Sequence, residues 1–262
     1  MKLSIIVPVY NSENILHELV KRISDSLKNT ILHNQFEIIM INDFSQDNSW
    51  EGLKSLSTKN NFIKGINLAR NFGQHNAIIA GFNFCSGKRV VTIDDDLQHP
   101  PEFIFNLYIK LDECEVCYTY YKNRRHIKWK KAVSSINNIV SSFLLNKPFH
   151  IYLSSFRGLK KSVIDNVIKF KGSDVYIDSL ILSSTKEIKM ITVDHSERFE
   201  GVSNYNFKKL LILWSNMVLN FSFKPFRLSS FFGSILKLSI KIFRKSNSLK
   251  NQYIISSKTF KD

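Results

Sequence analysis

Cysteine is scarce: Cys85, Cys114 and Cys117 are the only three in 262 residues. Three thiols cannot fill a four-ligand structural zinc site without help. The pair in Cys114-Glu115-Val116-Cys117 leads into an apolar segment and reads as packing, with redox chemistry as the alternative. So few cysteines point to a reduced, intracellular setting. Long apolar runs are also missing. None reaches the roughly 20 residues of a transmembrane helix. The run after Lys2 stops at Pro8, which is too short for a signal peptide and suits a buried strand. Acidic residues are absent from much of the second half. Between Tyr118 and Lys147 every charge is basic, and from Gly201 to Asp262 eleven Lys/Arg face the single acid Asp262. The net charge of +15 is therefore uneven and favours anionic partners: nucleic acid, acidic lipid headgroups or phosphorylated substrates.

Apolar residues are plentiful. At 44% hydrophobic and 13% aromatic the chain can bury a core, which argues against disorder. Its length suits one large α/β domain with appended elements, or two small domains. Residues 3–9 read as a first strand, and Asn11-Ser12 can cap a helix with Ile15, Leu16, Leu19, Ile23 and Leu27 at helical spacing. Residues 36–41 form a second strand, ending in the polar cluster 42–49 before a helix carrying Trp50, Leu53 and Leu56. Residues 62–68 are a third strand. A helix over 74–85 follows Arg70-Asn71-Phe72-Gly73, closed by Ser86-Gly87 as a C-cap. A fourth strand runs from Arg89 into Asp94-Asp95-Asp96, and a fifth covers 116–121. Strands alternating with helices of about a dozen residues predict a mostly parallel sheet with helices on both faces.

The acids then fall at the carboxyl end of a strand, where open α/β sheets bind ligands. Strand alternation places Asp94 and Asp96 on one face and Asp95 on the other, a spectator. Two converging carboxylates invite a cation, and hard oxygen ligands suit Mg²⁺ or Mn²⁺ bridging phosphates. The alternative is a solvated, helix-capping turn before Pro100-Pro101-Glu102. Tyr10-Asn11 and Asn42-Asp43 also end strands, so the three clusters should share one edge and form one site, as a nucleotide site would require.

Beyond the fifth strand, residues 129–145 read as a basic-headed helix and 154–157 as a short extended piece. Helices are expected over 162–168 and 176–184, and a strand over 188–193. From Asn206 onward leucines and aromatics interleave with lysine. That pattern suits an amphipathic helix in a membrane interface, against the alternative of a helix packed on the core. The polar tail after Ser246 should be frayed. Carboxylate-rich strand ends would repel a nucleic-acid backbone, so nucleic acid is not the expected partner.

Several motifs together resemble the family-two inverting glycosyltransferases of GT-A fold, in their polyprenyl-phosphate sugar transferase branch. They are Val7-Pro8-Val9-Tyr10-Asn11, Asn42-Asp43-x-Ser45-x-Asp47 and Arg70-Asn71-Phe72-Gly73-Gln74-His75. They continue through Asp94-Asp95-Asp96-Leu97-Gln98-x-Pro100-Pro101-Glu102, Glu197-Arg198-x-x-Gly201-x-Ser203-x-Tyr205 and Lys224-Pro225-x-Arg227-x-x-Ser230. The resemblance implies a metal-dependent transfer of a sugar from a nucleotide-diphosphate donor to a polyprenyl phosphate, at the cytoplasmic face of the cell membrane, by a peripheral or monotopic protein. It implies that Pro8, Tyr10, Asn11, Asp43, Arg70 and Asp94, Asp95 and Asp96 meet the nucleotide-sugar. Asp94, Asp96 and Gln98 would hold the Mg²⁺ or Mn²⁺, and Arg124, Lys131 and Arg198, with Ser135, the acceptor phosphate. The catalytic unit would span 1–204, amphipathic juxtamembrane helices 205–245 and the tail 246–262. A homo-oligomer or a membrane-protein partner is left open.

Two departures stand out. Many relatives carry an aspartate just before the arginine that matches Arg157, whereas residues 149–157 here hold no acid. Either the acceptor is a phosphate that needs no base, or the base is Asp178 or the Asp94–Asp96 cluster. Relatives also continue into two transmembrane helices where this chain turns basic at Lys237, which suggests a monotopic, partner-dependent or truncated form. A glycan hydroxyl acceptor and a non-catalytic membrane scaffold are the competing functions.

Overall fold

The computed structural model describes residues 1–121, 148, 150–172, 175–193 and 252–261. The expected helices at 129–145 and 205–245 lie outside the described residues.

Strand β1 (Leu3–Val9) is buried at every position, as a central strand covered on both faces must be. Its neighbours are β2 (Phe36–Asn42) and β4 (Arg89–Thr92), both parallel to it, and β3 (Ile63–Leu68) continues the parallel set beyond β2. On the other side come β5 (Val116–Tyr121), β6 (Arg157–Lys160) and β7 (Ile188–Val193). β8 (Ile255–Lys258) completes an eight-stranded sheet of order β7-β5-β6-β4-β1-β2-β3-β8. Only β6 and β8 run antiparallel to their neighbours.

Side-chain alternation divides the core in two. Leu3, Ile5, Val7, Ile38 and Met40 pack against helices α1 (Leu16–Leu27), α2 (Ser49–Lys59) and α4 (Ile104–Lys110, preceded by a 3-10 turn). Ile6, Ile39 and Ile41 face α3 (Gln74–Phe82), α5 (Lys161–Val167) and α6 (Ile177–Ser184). In α1 the buried Leu16, Leu19, Val20, Ile23 and Leu27 recur at the spacing that makes one apolar stripe. The expected sheet with helices on both faces is what the chain forms.

Four local expectations change. β4 ends at Thr92, before the acids, because the chain turns there and Leu97 takes a left-handed φ of 58°. α3 stops at Phe82, so Gly87 is no C-cap; a Cβ on it would stand 2.5 Å from the Ser4 nitrogen, and its N–H donates to Ser4 Oγ. The extended piece at 154–157 leads into a full strand, β6, wedged between β4 and β5. The tail is not frayed over 252–261. Thr259 Oγ1 accepts from Gly65 N–H at 2.9 Å and bonds Ser57 Oγ at 2.6 Å, pinning β8 to the sheet edge beside β3.

At the amino end of the strands a buried carboxylate joins four segments. Glu37 on β2, its side chain 2% exposed, accepts from Ser4 Oγ, Ser86 N–H, Ser86 Oγ and Lys64 Nζ. Burial alone would raise its pKa, but the Lys64 ammonium and the serine donors more than offset this and hold it below the usual 4.5. A depressed carboxylate pKa gives stability that is present above the unfolded value and lost as pH falls through the folded one. Glu37→Gln should therefore cost about 1–3 kcal/mol near neutral pH. In urea denaturation the gap from wild type should close as the pH drops below the carboxylate range; a gap independent of pH would refute the role of the charge.

Candidate active site

The carboxyl ends of β1, β2, β3 and β4 lie along one edge, and carboxylates lace the loops that leave them. After β1 the chain enters Tyr10, 46% exposed, and Asn11, whose φ is 55°. Asp95 reaches across from the β4 turn: its Oδ2 accepts the Tyr10 N–H at 3.0 Å and the Ser12 hydroxyl. Asn11 Oδ1 accepts Gln46 N–H at 2.8 Å, while its own N–H goes to Ser45 Oγ, so the β1 and β2 loops are tied as well. Asp43, at the end of β2, is buried and accepts the N–H groups of Phe72 at 2.7 Å and Gly73 at 2.8 Å. Those bonds fix the turn into α3, where Gly73 takes φ 85°, a conformation that favours glycine.

That turn delivers Gln74 to the metal-ligand candidate. Gln74 Nε2 donates to Asp94 Oδ1 at 2.7 Å, Ser155 Oγ donates to Asp94 Oδ2 at 2.6 Å, and His99 Nε2 lies 3.1 Å from the same Oδ2. Asp96 Oδ1 accepts the Gln98 N–H at 3.1 Å and so closes its own turn.

The electrostatics separate the adjacent acids. Burial opposes the Asp94 charge, but His99, Ser155 and the more distant Arg157 outweigh it and hold the carboxyl below its usual range. Burial, with the charges of Asp94 and Asp96 adding to it, pushes Asp95 up to about 6 in spite of its bonds from Ser12 and Tyr10. Asp43 is likewise raised by burial against its two backbone donors.

Tyr10, Asn11, Asp43, Asp94, Asp95 and Asp96 are thus brought to one edge as the sequence suggested. Pro8 is buried within β1, and Arg70 is exposed with its guanidinium 4.9 Å from the Phe72 ring. Arg124, Lys131, Ser135 and Arg198 lie outside the described residues. Two expectations are corrected. Asp95 is no spectator, because it fastens the β1 loop to the β4 turn; strand alternation does not govern residues past Thr92. Asp178 is not poised as a base. It is buried, and its Oδ1 accepts from Tyr118 at 2.9 Å and from the fully buried Arg157 guanidinium. Gln74, His99 and Ser155 carried no role in the sequence reading, although all three sit in or beside its motifs. His75, next to Gln74, is driven down to about 4 by burial, with Asp178 and Asp94 opposing and Arg157 reinforcing the shift.

Among the described residues no group of three or more His, Cys, Asp or Glu is placed to hold a metal. Two carboxylates and a glutamine amide are nonetheless the donor set of a small hard cation that takes its remaining ligands from phosphate and water. The residues present fit Mg²⁺ or Mn²⁺ on that basis.

An α/β sheet that gathers carboxylates at the carboxyl ends of its strands has the arrangement in which open sheets bind ligands. The family model for "Glycosyl transferase family 2" matches residues 4–168. The undecaprenyl-phosphate 4-deoxy-4-formamido-L-arabinose transferase of Salmonella choleraesuis is 34% identical over 239 residues, covering 90% of this chain and 72% of that protein. Its Salmonella typhimurium counterpart matches equally. Among solved structures, glucosyl-3-phosphoglycerate synthase from Mycobacterium tuberculosis, in complex with Mn²⁺, uridine-diphosphate and phosphoglyceric acid, superposes with a TM-score of 0.60. It is 14% identical and covers 83% of this chain and 77% of that one. S. aureus TarS gives a TM-score of 0.56 at 19% identity over 95% of this chain and 73% of that one. The chain belongs to glycosyltransferase family 2, with the GT-A fold, and is a glycosyltransferase.

The corrected role of Asp178 can be checked by stability. Removing one partner of a buried ion pair costs about 3–5 kcal/mol, whereas replacing both by apolar residues of similar volume costs far less. Asp178→Asn should therefore lower the unfolding free energy by that order, and Arg157→Met with Asp178→Leu should recover most of it. A fully stable Asp178→Asn protein that has lost only activity would restore the base reading.

Proposed function

We propose that the enzyme transfers a sugar from a nucleotide-diphosphate donor to a polyprenyl phosphate at a membrane surface, with inversion and with Mg²⁺ or Mn²⁺. The observation that carries this reading is the commitment of the nearby acids. Asp94 and Asp95 are held by donors, Asp178 is paired with Arg157, and residues 149–157 hold no acid. A hydroxyl acceptor needs a general base. A phosphate monoester, with a second pKa near ~6, is already largely a dianion and needs positioning instead. Similarity to the Salmonella undecaprenyl-phosphate transferases supports the same acceptor class.

In this reading Tyr10, Asn11, Asp43 and Arg70 flank the nucleoside, and Asp94, Asp96 and Gln98 would hold the cation. Once bound, that cation supplies positive charge to the leaving diphosphate. The acceptor phosphate attacks the anomeric carbon from the opposite face, and no covalent sugar–enzyme intermediate forms. Topology supports an acceptor arriving at this edge. β5 and β7 are parallel to each other and to β4, so Tyr121 and Val193 both end there, and the connection that follows each carries more Lys/Arg than Asp/Glu. Arg124, Lys131, Ser135 and Arg198 on those stretches are proposed for the acceptor phosphate. Among the described residues no helix is long and apolar enough to cross a membrane, and the 205–245 amphipathic series is proposed as the membrane contact.

Labelled nucleotide-sugars incubated with the full chain, undecaprenyl phosphate in vesicles and Mn²⁺ should give an acid-labile, lipid-phosphate-linked sugar. Asp94→Asn should reduce that product by about 100-fold or more. An alkali-stable glycan product with no lipid-phosphate sugar would favour the hydroxyl acceptor and overturn this proposal.

A further inference from the structure

Ser155 is held rigidly from both sides. Its carbonyl accepts the Thr92 hydroxyl on β4, and the neighbouring Ser154 Oγ bonds Thr119 Oγ1 on β5 at 3.0 Å. Phe156 accepts at its carbonyl from Thr119 N–H and Thr119 Oγ1, so the backbone around Ser155 spans the two strands. From this platform the hydroxyl donates to Asp94 Oδ2 at 2.6 Å. His99 Nε2 lies 3.0 Å from Ser155 Oγ and 3.1 Å from Asp94 Oδ2, which closes a triangle, and its ring packs 5.4 Å from that of Phe156. An ionised carboxylate oxygen only accepts, so the bond to Oδ2 requires the hydrogen on Nε2. Both acceptor positions of Oδ2 are then taken, by a serine and a histidine anchored in packed structure. Among the described residues Oδ1 carries only Gln74, an exposed side chain at the start of α3.

We propose that Ser155, together with His99, is a positioning residue that makes Asp94 a one-oxygen ligand and so selects a small octahedral cation over a large one. The inference rests on the reading of Asp94 as a cation ligand. Mg²⁺ and Mn²⁺ accept single carboxylate oxygens in octahedral geometry, whereas Ca²⁺ takes more ligands and readily uses both oxygens of one carboxylate. With Oδ2 occupied, the two-oxygen mode is closed. Ser155 thereby has a role in a segment that holds no acid: a hydroxyl can donate to Asp94, and a second carboxylate would repel it.

The test is direct cation binding to the full chain, measured with Mn²⁺ by electron paramagnetic resonance and with Ca²⁺ by calorimetry. Each is run with whichever of UDP, GDP and dTDP gives the tightest Mn²⁺ uptake by wild type. Ser155→Ala should weaken Mn²⁺ binding by about 10- to 100-fold, the usual effect of losing an outer-shell partner, while Ca²⁺ binding holds or tightens. Ser155→Thr, which keeps the hydroxyl, should restore the wild-type preference, and thermal unfolding in EDTA checks that each variant is folded. Unchanged Mn²⁺ affinity in Ser155→Ala, an equal loss for both cations, or a Ser155→Thr protein as defective as Ser155→Ala would each overturn the positioning role alone. A wild-type chain that takes up no Mn²⁺ would overturn the metal reading of Asp94 as well.

Discussion

Two carboxylates at strand ends decide where the active-site loops stand. Asp95 draws the β1 loop onto the β4 turn through Tyr10 and Ser12, and Asp43 draws the turn before α3 onto β2 through Phe72 and Gly73. Each accepts two hydrogen bonds, and in each burial still raises the pKa above the ordinary value. Two donors are not enough to compensate removal from water. Among the described residues neither of these carboxylates has a cationic partner, so positive charge brought close by would favour their ionised forms. Asp94 differs because three side chains serve it, and its charge is correspondingly stabilised.

The sheet itself was legible in the sequence because its strands are continuous apolar runs and its helices carry apolar stripes. β6 was not. Arg157-Gly158-Leu159-Lys160 is short and charged at both ends, and only its placement between β4 and β5 makes it a strand. β8 was hidden for a related reason: Ile255-Ser256-Ser257-Lys258 looks like solvated tail until Thr259 is seen bonded to Ser57 and Gly65. Both strands depend on partners distant in the chain, and periodicity within a window cannot report such partners.

The site was legible at the level of which acids gather, because parallel strands deliver their ends to one edge. The role of each acid was less so. Alternation implied that Asp95 faces away from the site, but it fails once β4 stops at Thr92, and the turn sends Asp94 toward Ser155 and Asp95 toward β1. Asp178 looked available because its partners, Tyr118 and Arg157, are 60 and 21 residues away in sequence. An acid's capacity to act as a base depends on what it is bonded to, and that is a property of the fold.

The same edge explains why an acceptor that brings its own negative charge is compatible with an acidic site. β1 to β5 and β7 all end there, and the antiparallel β6 and β8 begin there. The chain therefore leaves the sheet at Tyr121 and at Val193, and re-enters it at Arg157 and at Ile255, on the side that holds Asp94. The residues between Tyr121 and Lys147 carry no acid, and those between Val193 and Ile255 carry ten Lys/Arg against the three acids Asp194, Glu197 and Glu200. Chain connectivity thus tethers the basic half of the sequence to the acidic edge of the sheet. In the proposed reaction two anionic substrates meet in one cleft, and their mutual repulsion must be met by fixed positive charge close by. An acidic edge whose flanking connections carry a basic excess is suited to that requirement.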